Sequence, residues 1–503
     1  MHNSVQIKNI YDYLVTLIYD YMEKSKLISL LKTFNKDEIK SFNDFVSSPF
    51  FNKEKVLIRL TGYLQNNHPD YNNSGIEKEK VYSFLYPGKN YSDGLMRNVI
   101  SDLYRLAEEF LAVNNLRNNS IKENMLLLDE LNNRKLYSQF LKLKEKTEGH
   151  IEKSGFKNEL YFERKIELTK LYRNYLNEVK DSYIKWNEGI QDLSDLITAN
   201  FLVNMLFINI FMVNKQSNIL NITYRINFSR ELESFLENEG KSYLDIPYIE
   251  SFYLAFKLVK SEDENYFYKL KYFLELKFEV LNDFARKNIY TVLQNYAHSH
   301  VVAGNTKFVK ELFLLHKESV ESNTLKGISS FIRNVYFTSI VVTGYEAGEF
   351  DWVEKFINKY ISEVKEDLRT DTLHFCRALR SFWDKDYENA LNELALVTSE
   401  EISFKHNVKS LTLKIYFELN ETEPFYSHID SYKHFILKNK NIYDKLREQV
   451  NNYINFSKKL FDLKNRGDSE KGMDLEILNN DIKTHTALIN KIWLLRKAEE
   501  ISG

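Results

Sequence analysis

The chain has 503 residues, with 69 Lys+Arg against 71 Asp+Glu and a formal net charge of −2. That length exceeds a single compact core, so several domains or an elongated repeat is expected, and the near-neutral balance argues against a dedicated nucleic-acid binder. Only 15 Gly and 5 Pro leave too little punctuation for a large sheet protein or a Rossmann-type phosphate loop; helices joined by short polar turns need few of either, so the fold class expected is all-α.

Residues 1–26 read as an N-terminal helix. Asp12 and Asp20 interrupt its apolar run and no small-residue cleavage site follows, so it does not read as a secretory signal. Cys376 is the only cysteine. No intrachain disulfide can form, and a reducing, cytoplasmic setting is expected. Cys376 lies in the helical stretch TLHFCRALR and reads as a buried small residue rather than a nucleophile.

Residues 27–118 form a candidate helical subdomain. They hold three of the five prolines, Pro49, Pro69 and Pro87. Asn35 is a candidate cap with acidic Asp37 and Glu38 behind it, and that helix should stop at Ser48-Pro49. Further helices are expected at KEKVLIRLTGYLQNN and EKEKVYSFLY, then a turn at PGKNYSDG. The next helix carries a stripe of Leu95, Val99, Leu103, Leu106 and Phe110.

Residues 119–240 predict irregular helix pairs. Two long helices are expected, KENMLLLDELNNRKLYSQFLKLKEKTEGHIEK and NELYFERKIELTKLYRNYLNEVKDSYIKW. After them runs Leu196–Asn214, 19 residues without a charge. It is long enough to span a bilayer, but it contains Asn200, Asn204, Asn209 and Asn214 and lacks an aromatic belt. A helix buried inside the protein, and no membrane, is the reading.

Residues 241–465 repeat. A short polar turn precedes an aromatic that starts a second helix, at Phe267, Phe308, Phe350, Tyr387 and Phe425, with spacings of 41, 42, 37 and 38. One helix pair with its turns occupies about that length. NYAHSHVVAGNTKF and NVYFTSIVVTGYEAGEF align on Asn, then Val-Val-x-Gly, then Phe. The best unit, ALRSFWDKDYENALNELALV, sets Ala378, Tyr387 and Ala390 where small residues let two helices approach and an aromatic wedges the next pair. On these residues the chain resembles the tetratricopeptide family, with a longer period than that family's. The resemblance implies an α-solenoid of antiparallel helix pairs that engages a protein or peptide. SFNDFVSSPFFNK, the Tyr-Pro-Gly turn and SHIDSYKHFILKNK are also similar to large uncharacterised helical proteins of Bacteroidetes-type bacteria, a likeness that implies no activity.

Residues 466–503 read as a linker and a C-terminal helix from about Leu475 to Glu500. The Arg-Gly-Asp at 466–468 reads as charged linker.

No phosphate-loop or dinucleotide glycine pattern occurs. His298 with His300 and His428 with His434 lack ligand spacing, so no metal, cofactor or catalytic residue is assigned. The basic stretch YKHFILKNKNIYDKLR, with Lys433, Lys438, Lys440, Lys445 and Arg447, reads as a solvated helix end. The expected function is a non-catalytic protein–protein interaction scaffold of open oligomeric state. The alternative is a DNA-binding transcriptional regulator. KEKVYSFLYPGKNYSDGLMRNVISDLYRLAEEFL resembles the helix-turn-helix of winged-helix activators, with the repeats behind it as a sensor. Arg97, Asn98, Ser101 and Arg105 would then face the groove. Asp93, Asp102, Glu108 and Glu109 oppose contact with phosphate, and no wing follows.

Overall fold

A computed structural model describes residues 22–71, 75–153, 155–179, 183–218, 223–326, 330–440, 442–466 and 472–502. The helix expected over residues 1–26 lies outside the described residues as far as residue 21. The described chain is all-α, with 23 α-helices packed on one another and no strand. The chain divides into two compact units, Met1–His150 and Ile151–Gly503.

The first unit contains α1 (Lys26–Leu31), α2 (Lys36–Ser47), α3 (Lys55–Asn66), α4 (Lys78–Leu85), α5 (Asp93–Arg117), α6 (Ser120–Asn133) and most of α7 (Tyr137–Glu152). Asn35 caps α2 as expected. Its side chain accepts from the Asp37 and Glu38 amides, and Glu38 accepts from the Asn35 amide in return, all at 2.9 Å. The helix ends at Ser47, just before Ser48-Pro49. The core is aromatic, with Phe42 edge-on to Phe34 at 5.8 Å and 5.4 Å from Phe110. Val99, Leu103, Leu106 and Phe110 of α5 enter that core. Leu95 does not; it is exposed, and Met96 takes the buried place one residue on.

The first of the two expected long helices is two. Lys135 adopts a left-handed conformation (φ 60), and the Leu136 amide closes back on the Leu131 carbonyl at 2.9 Å, ending α6 before α7 begins. The second expected helix also divides, because α8 (Glu159–Glu178) stops before α9 (Tyr183–Asn218).

The second unit continues with α10 (Ser229–Glu237), α11 (Pro247–Ser261) and α12 (Glu264–Lys277). Then come α13 (Asp283–Val302), α14 (Lys307–Glu321), α15 (Asn334–Glu346), α16 (Phe350–Tyr360), α17 (Glu366–Trp383) and α18 (Tyr387–Ala395). The unit ends with α19 (Ile402–Leu419), α20 (Thr422–Lys438), α21 (Asp444–Lys464), α22 (Gly472–Thr484) and α23 (Lys491–Ser502). From α11 to α20 the helices pack as consecutive pairs.

The aromatic spacing is explained by how each pair turns. One left-handed residue reverses the chain between the two helices of every pair: Glu262, Gly304, Gly348, Lys385 and Asn420. In the middle three turns, the amides of Asn305, Glu349 and Asp386 close back on His300, Gly344 and Ser381, each at 2.9 Å. Phe267, Phe308, Phe350, Tyr387 and Phe425 then fall in the first turn of the second helix. Phe267 packs on Phe308 of the next pair at 5.4 Å, and Phe425 stacks on Phe461 at 4.0 Å. Ala378 and Ala390 are fully buried, where α17 and α18 approach.

The Val-Val-x-Gly alignment of two repeats is corrected. Gly304 sits in a turn at φ +93, whereas Gly344 lies inside α15, and a Cβ there would come within 2.3 Å of Val353. The structural counterpart of Gly304 is Gly348, one helical turn later, also left-handed at φ +80. Two different demands for glycine, a turn and a close helix contact, produced one apparent motif. The single C-terminal helix expected from about Leu475 to Glu500 is likewise two. The Lys491 ammonium donates to the carbonyls of Lys483 (2.7 Å) and His485 (2.9 Å), closing the end of α22 as α23 begins. In the stretch before them, residues 467–471 of the expected linker lie outside the described residues.

Candidate functional site

Several of the ionisable groups that could carry chemistry are engaged in packing, while His374 pairs with Glu393 at 2.7 Å and His434 is exposed. Cys376 is buried in α17, and burial pushes its thiol well above the ordinary range, with Glu354 adding to the effect. His316 of α14 is 2% exposed, and among the described residues neither ring nitrogen has a partner. Burial, then the nearby His298, lowers its pKa to about 3. His300 stacks on Phe308 at 4.4 Å. The His406 ring lies 2.7 Å from the Tyr432 hydroxyl, and His428 lies 2.9 Å from the Lys409 carbonyl. Burial brings both of these histidines down to about 4. Among the described residues no three His, Cys, Asp or Glu side chains converge to hold a metal ion.

Within the basic stretch near residue 440, Lys438, Lys440 and Lys445 are exposed. Arg447 is engaged: its guanidinium donates to the carbonyls of Ile436 (2.8 Å), Asn439 (3.3 Å) and Ile442 (3.2 Å), closing the end of α20.

Arg97, Asn98, Ser101 and Arg105 all lie on one exposed face of α5. Arg97 pairs with Asp93 at 2.9 Å and Arg105 with Asp102 at 3.6 Å, and Glu108 occupies the same face. The helix therefore carries its own counter-charges along the surface that would meet phosphate.

One side of the repeat row is already covered by the chain itself. Helix α23 crosses the C-terminal ends of successive first helices. A Cβ on Gly304, just past α13, would meet the Lys491 side chain at 3.1 Å. Arg496 reaches Glu346 at the end of α15 (3.8 Å) and lies over the Trp383 ring at the end of α17 (5.7 Å). Lys497, nearly buried, bridges Glu418 of α19 and Glu500, each at 2.6 Å. Trp493 sits edge-on to Phe417 at 5.1 Å. This is a helix received across helix ends through an apolar centre and a charged rim.

The surface left uncovered is on α9, a helix of 36 residues. The expectation that its apolar run lies inside the protein holds for one side only. Ala199, Leu202, Val203, Leu206 and Ile210 are buried where α8 and α11 pack. On the opposite side Ile190, Ile197, Phe201 and Ile208 are each 40–47% exposed. Phe228, before α10, is also exposed and packs edge-on to Phe201 at 5.7 Å. The helix is long and apolar enough to cross a membrane by length and composition. The signal for the exposed strip was in the sequence. Residues 190, 194, 197, 201, 204 and 208 alternate steps of four and three, the spacing of a helix seam. Because the opposite side is equally apolar, the strip did not stand out.

No protein-family model, curated protein or solved structure matches the chain.

Proposed function

We propose that the chain is an interaction scaffold, a tetratricopeptide-like helical-repeat protein of the cytoplasm that binds a protein partner and performs no reaction itself. The outward face of α9 carries this reading. Exposed isoleucine and phenylalanine run along roughly 27 Å of helix, and such a strip gains free energy only when another surface covers it. Cys376 and His316 are buried, and His406 and His428 are held by the Tyr432 hydroxyl and the Lys409 carbonyl, which favours recognition over chemistry as the role of the surface. The seating of α23 on the repeat row supports the same reading, since it is helix docking by the means proposed for a partner.

The test is affinity purification of the full chain from its own cells, read by mass spectrometry, beside the Ile197→Glu variant. Ile197 is 47% exposed, so the variant keeps the fold, and circular dichroism checks this. A protein recovered with the parent and depleted at least about tenfold with the variant is the expected result. Equal recovery from both chains sinks the reading.

A second reading has one observation in its favour. Arg97, Asn98, Ser101 and Arg105 share an outward face of α5, as a helix that reads DNA would require. The acidic residues interleaved with them weigh against it.

A further inference from the structure

We infer that the pocket beside the start of α10 binds a phosphate monoester, a phosphorylated serine or threonine of the protein partner, through Arg225, Arg230 and Lys260. The inference rests on the scaffold reading and names the chemistry of the partner.

The cavity and its charges carry it. The pocket has a volume of about 360 Å³, enough for a phosphorylated side chain, and is walled by residues 225–231 and by Lys260 near the end of α11. Three cations line it against one carboxylate, Glu231. Arg225 and Arg230 are exposed, and among the described residues neither pairs with a carboxylate. Arg97, Arg105 and Arg496, by contrast, each reach one. Lys260 pairs with Glu233, but Lys257 takes the same carboxylate at 3.1 Å, so two ammonium groups share one acid. The lining therefore holds two positive charges in excess. A phosphate monoester carries close to the opposite charge near neutral pH.

The donors fit the same group. Each guanidinium presents a planar fork of N–H bonds, and a phosphate offers three oxygens to receive them. A carboxylate has two oxygens and half the charge, and would leave part of the pocket unmatched. The start of α10 adds to the two guanidiniums. No side chain caps that helix, so its first amides stay open to an anion.

The surroundings select a protein as the bearer of the phosphate. Phe228 lines the pocket, is 53% exposed and packs on Phe201 of the uncovered α9 face at 5.7 Å. A polypeptide whose phosphate fills the pocket lays its apolar neighbours on these two rings. A nucleic acid repeats its phosphates along the strand and needs a row of cations. Here Asp192, Asp195 and Glu231 are exposed on α9 and α10 instead. The same carboxylates oppose an anionic lipid surface.

Thermal melts of the full chain test the site directly, in about 50 mM inorganic phosphate and in chloride of matched ionic strength at pH 7. Relative to chloride, phosphate should raise the midpoint of the parent a few degrees more than that of Arg225→Ala with Arg230→Ala. The general stabilising action of phosphate is common to both chains and cancels. Both arginines are exposed, so the double variant keeps its fold. Glu231→Gln removes the opposing carboxylate and should tighten phosphate severalfold, a gain that damage to the fold does not produce. The source of the phosphate is read on beads. Beads carrying a degenerate phosphoserine peptide library should retain the parent at least about tenfold better than unphosphorylated beads, and the double variant should lose that preference. Equal phosphate shifts in the parent and the double variant overturn the pocket. Equal retention on phosphorylated and unphosphorylated beads overturns the phosphorylated partner. Retention on phosphatidylcholine vesicles with phosphatidylinositol 4-phosphate, or on a single-stranded oligonucleotide, without retention on the beads assigns the pocket to lipid or nucleic acid and also overturns it. If the phosphate arms fail while Ile197→Glu still loses a recovered protein, the pocket fails and the scaffold reading stands.

Discussion

Helices α5 and α9 obey the same rule on one side and differ on the other. Each buries an apolar face in its own unit: Met96, Val99, Leu103 and Leu106 in α5, and Leu202, Val203, Leu206 and Ile210 in α9. The outward face of α5 carries Arg97, Asn98, Ser101, Arg105 and Glu108. The outward face of α9 carries Ile190, Ile197, Phe201 and Ile208. Water covers the first at no cost. The second exposes apolar side chains that another surface would stabilise. Apolar periodicity therefore identifies the side a helix turns inward, while the outward residues decide whether solvent or a partner completes the structure.

The largest effect should come from the inward faces, where the two helices are alike. Leu103 and Leu206 are both fully buried. Leu103→Ala and Leu206→Ala should each destabilise the unit that holds them by about 2–5 kcal/mol, read by urea unfolding. A cost under about 1 kcal/mol at Leu206 would mean that α9 is not anchored on its inner side, and the comparison would collapse. By contrast Phe201→Ala, on the outer side, should leave the stability of the monomer within about 0.5 kcal/mol.

His316 tests the comparison from another direction, since it is a polar group on an inward face. Its pKa is lowered from 6.5 to about 3, so between those values the unfolded chain binds the proton and the folded one does not. Stability is therefore fully present above pH 6.5 and falls as the pH drops toward 3. The slope from this group is at most about 1.4 kcal/mol per pH unit. His406 and His428, lowered to about 4, contribute over the upper part of the same window. Thermal melts at pH 7 and pH 4.5 should differ, and His316→Leu should reduce the difference. An unchanged difference would mean that the acid loss comes from other groups.

The sequence made some of this legible, and the reasons are local. The Asn35 cap and the stop at Ser48-Pro49 depend on neighbouring atoms only, and both are as expected. The aromatic period was readable because one left-handed turn residue fixes where each second helix starts. The breaks at Lys135 and between α22 and α23 were not. They depend on a left-handed lysine and on a lysine ammonium that reaches back to carbonyls, and neither residue type advertises such a role. The outward strip on α9 was hidden for another reason. A helix apolar on both sides has little amphipathic contrast, so composition marks it as covered without saying by what. On α5 the charges kept that contrast, and its face could be read residue by residue.

The smallest expected effect is on that charged face. Arg97 and Arg105 are highly exposed, and their ion pairs with Asp93 and Asp102 stay within α5. Exposed pairs of this kind contribute roughly 0–1 kcal/mol. Arg97→Ala combined with Arg105→Ala should therefore change stability by no more than about 1 kcal/mol. If water alone covers the face, the parent chain should show no duplex binding at low salt for the variant to lose. A reading helix gives a different result. The parent would bind duplex DNA with a steep salt dependence, and loss of the two arginines would lower the logarithmic slope by about two. That outcome would show that a charged outward face, like the apolar one on α9, had been waiting for a partner, and that the contrast between the two helices lies in the kind of partner rather than in the need for one.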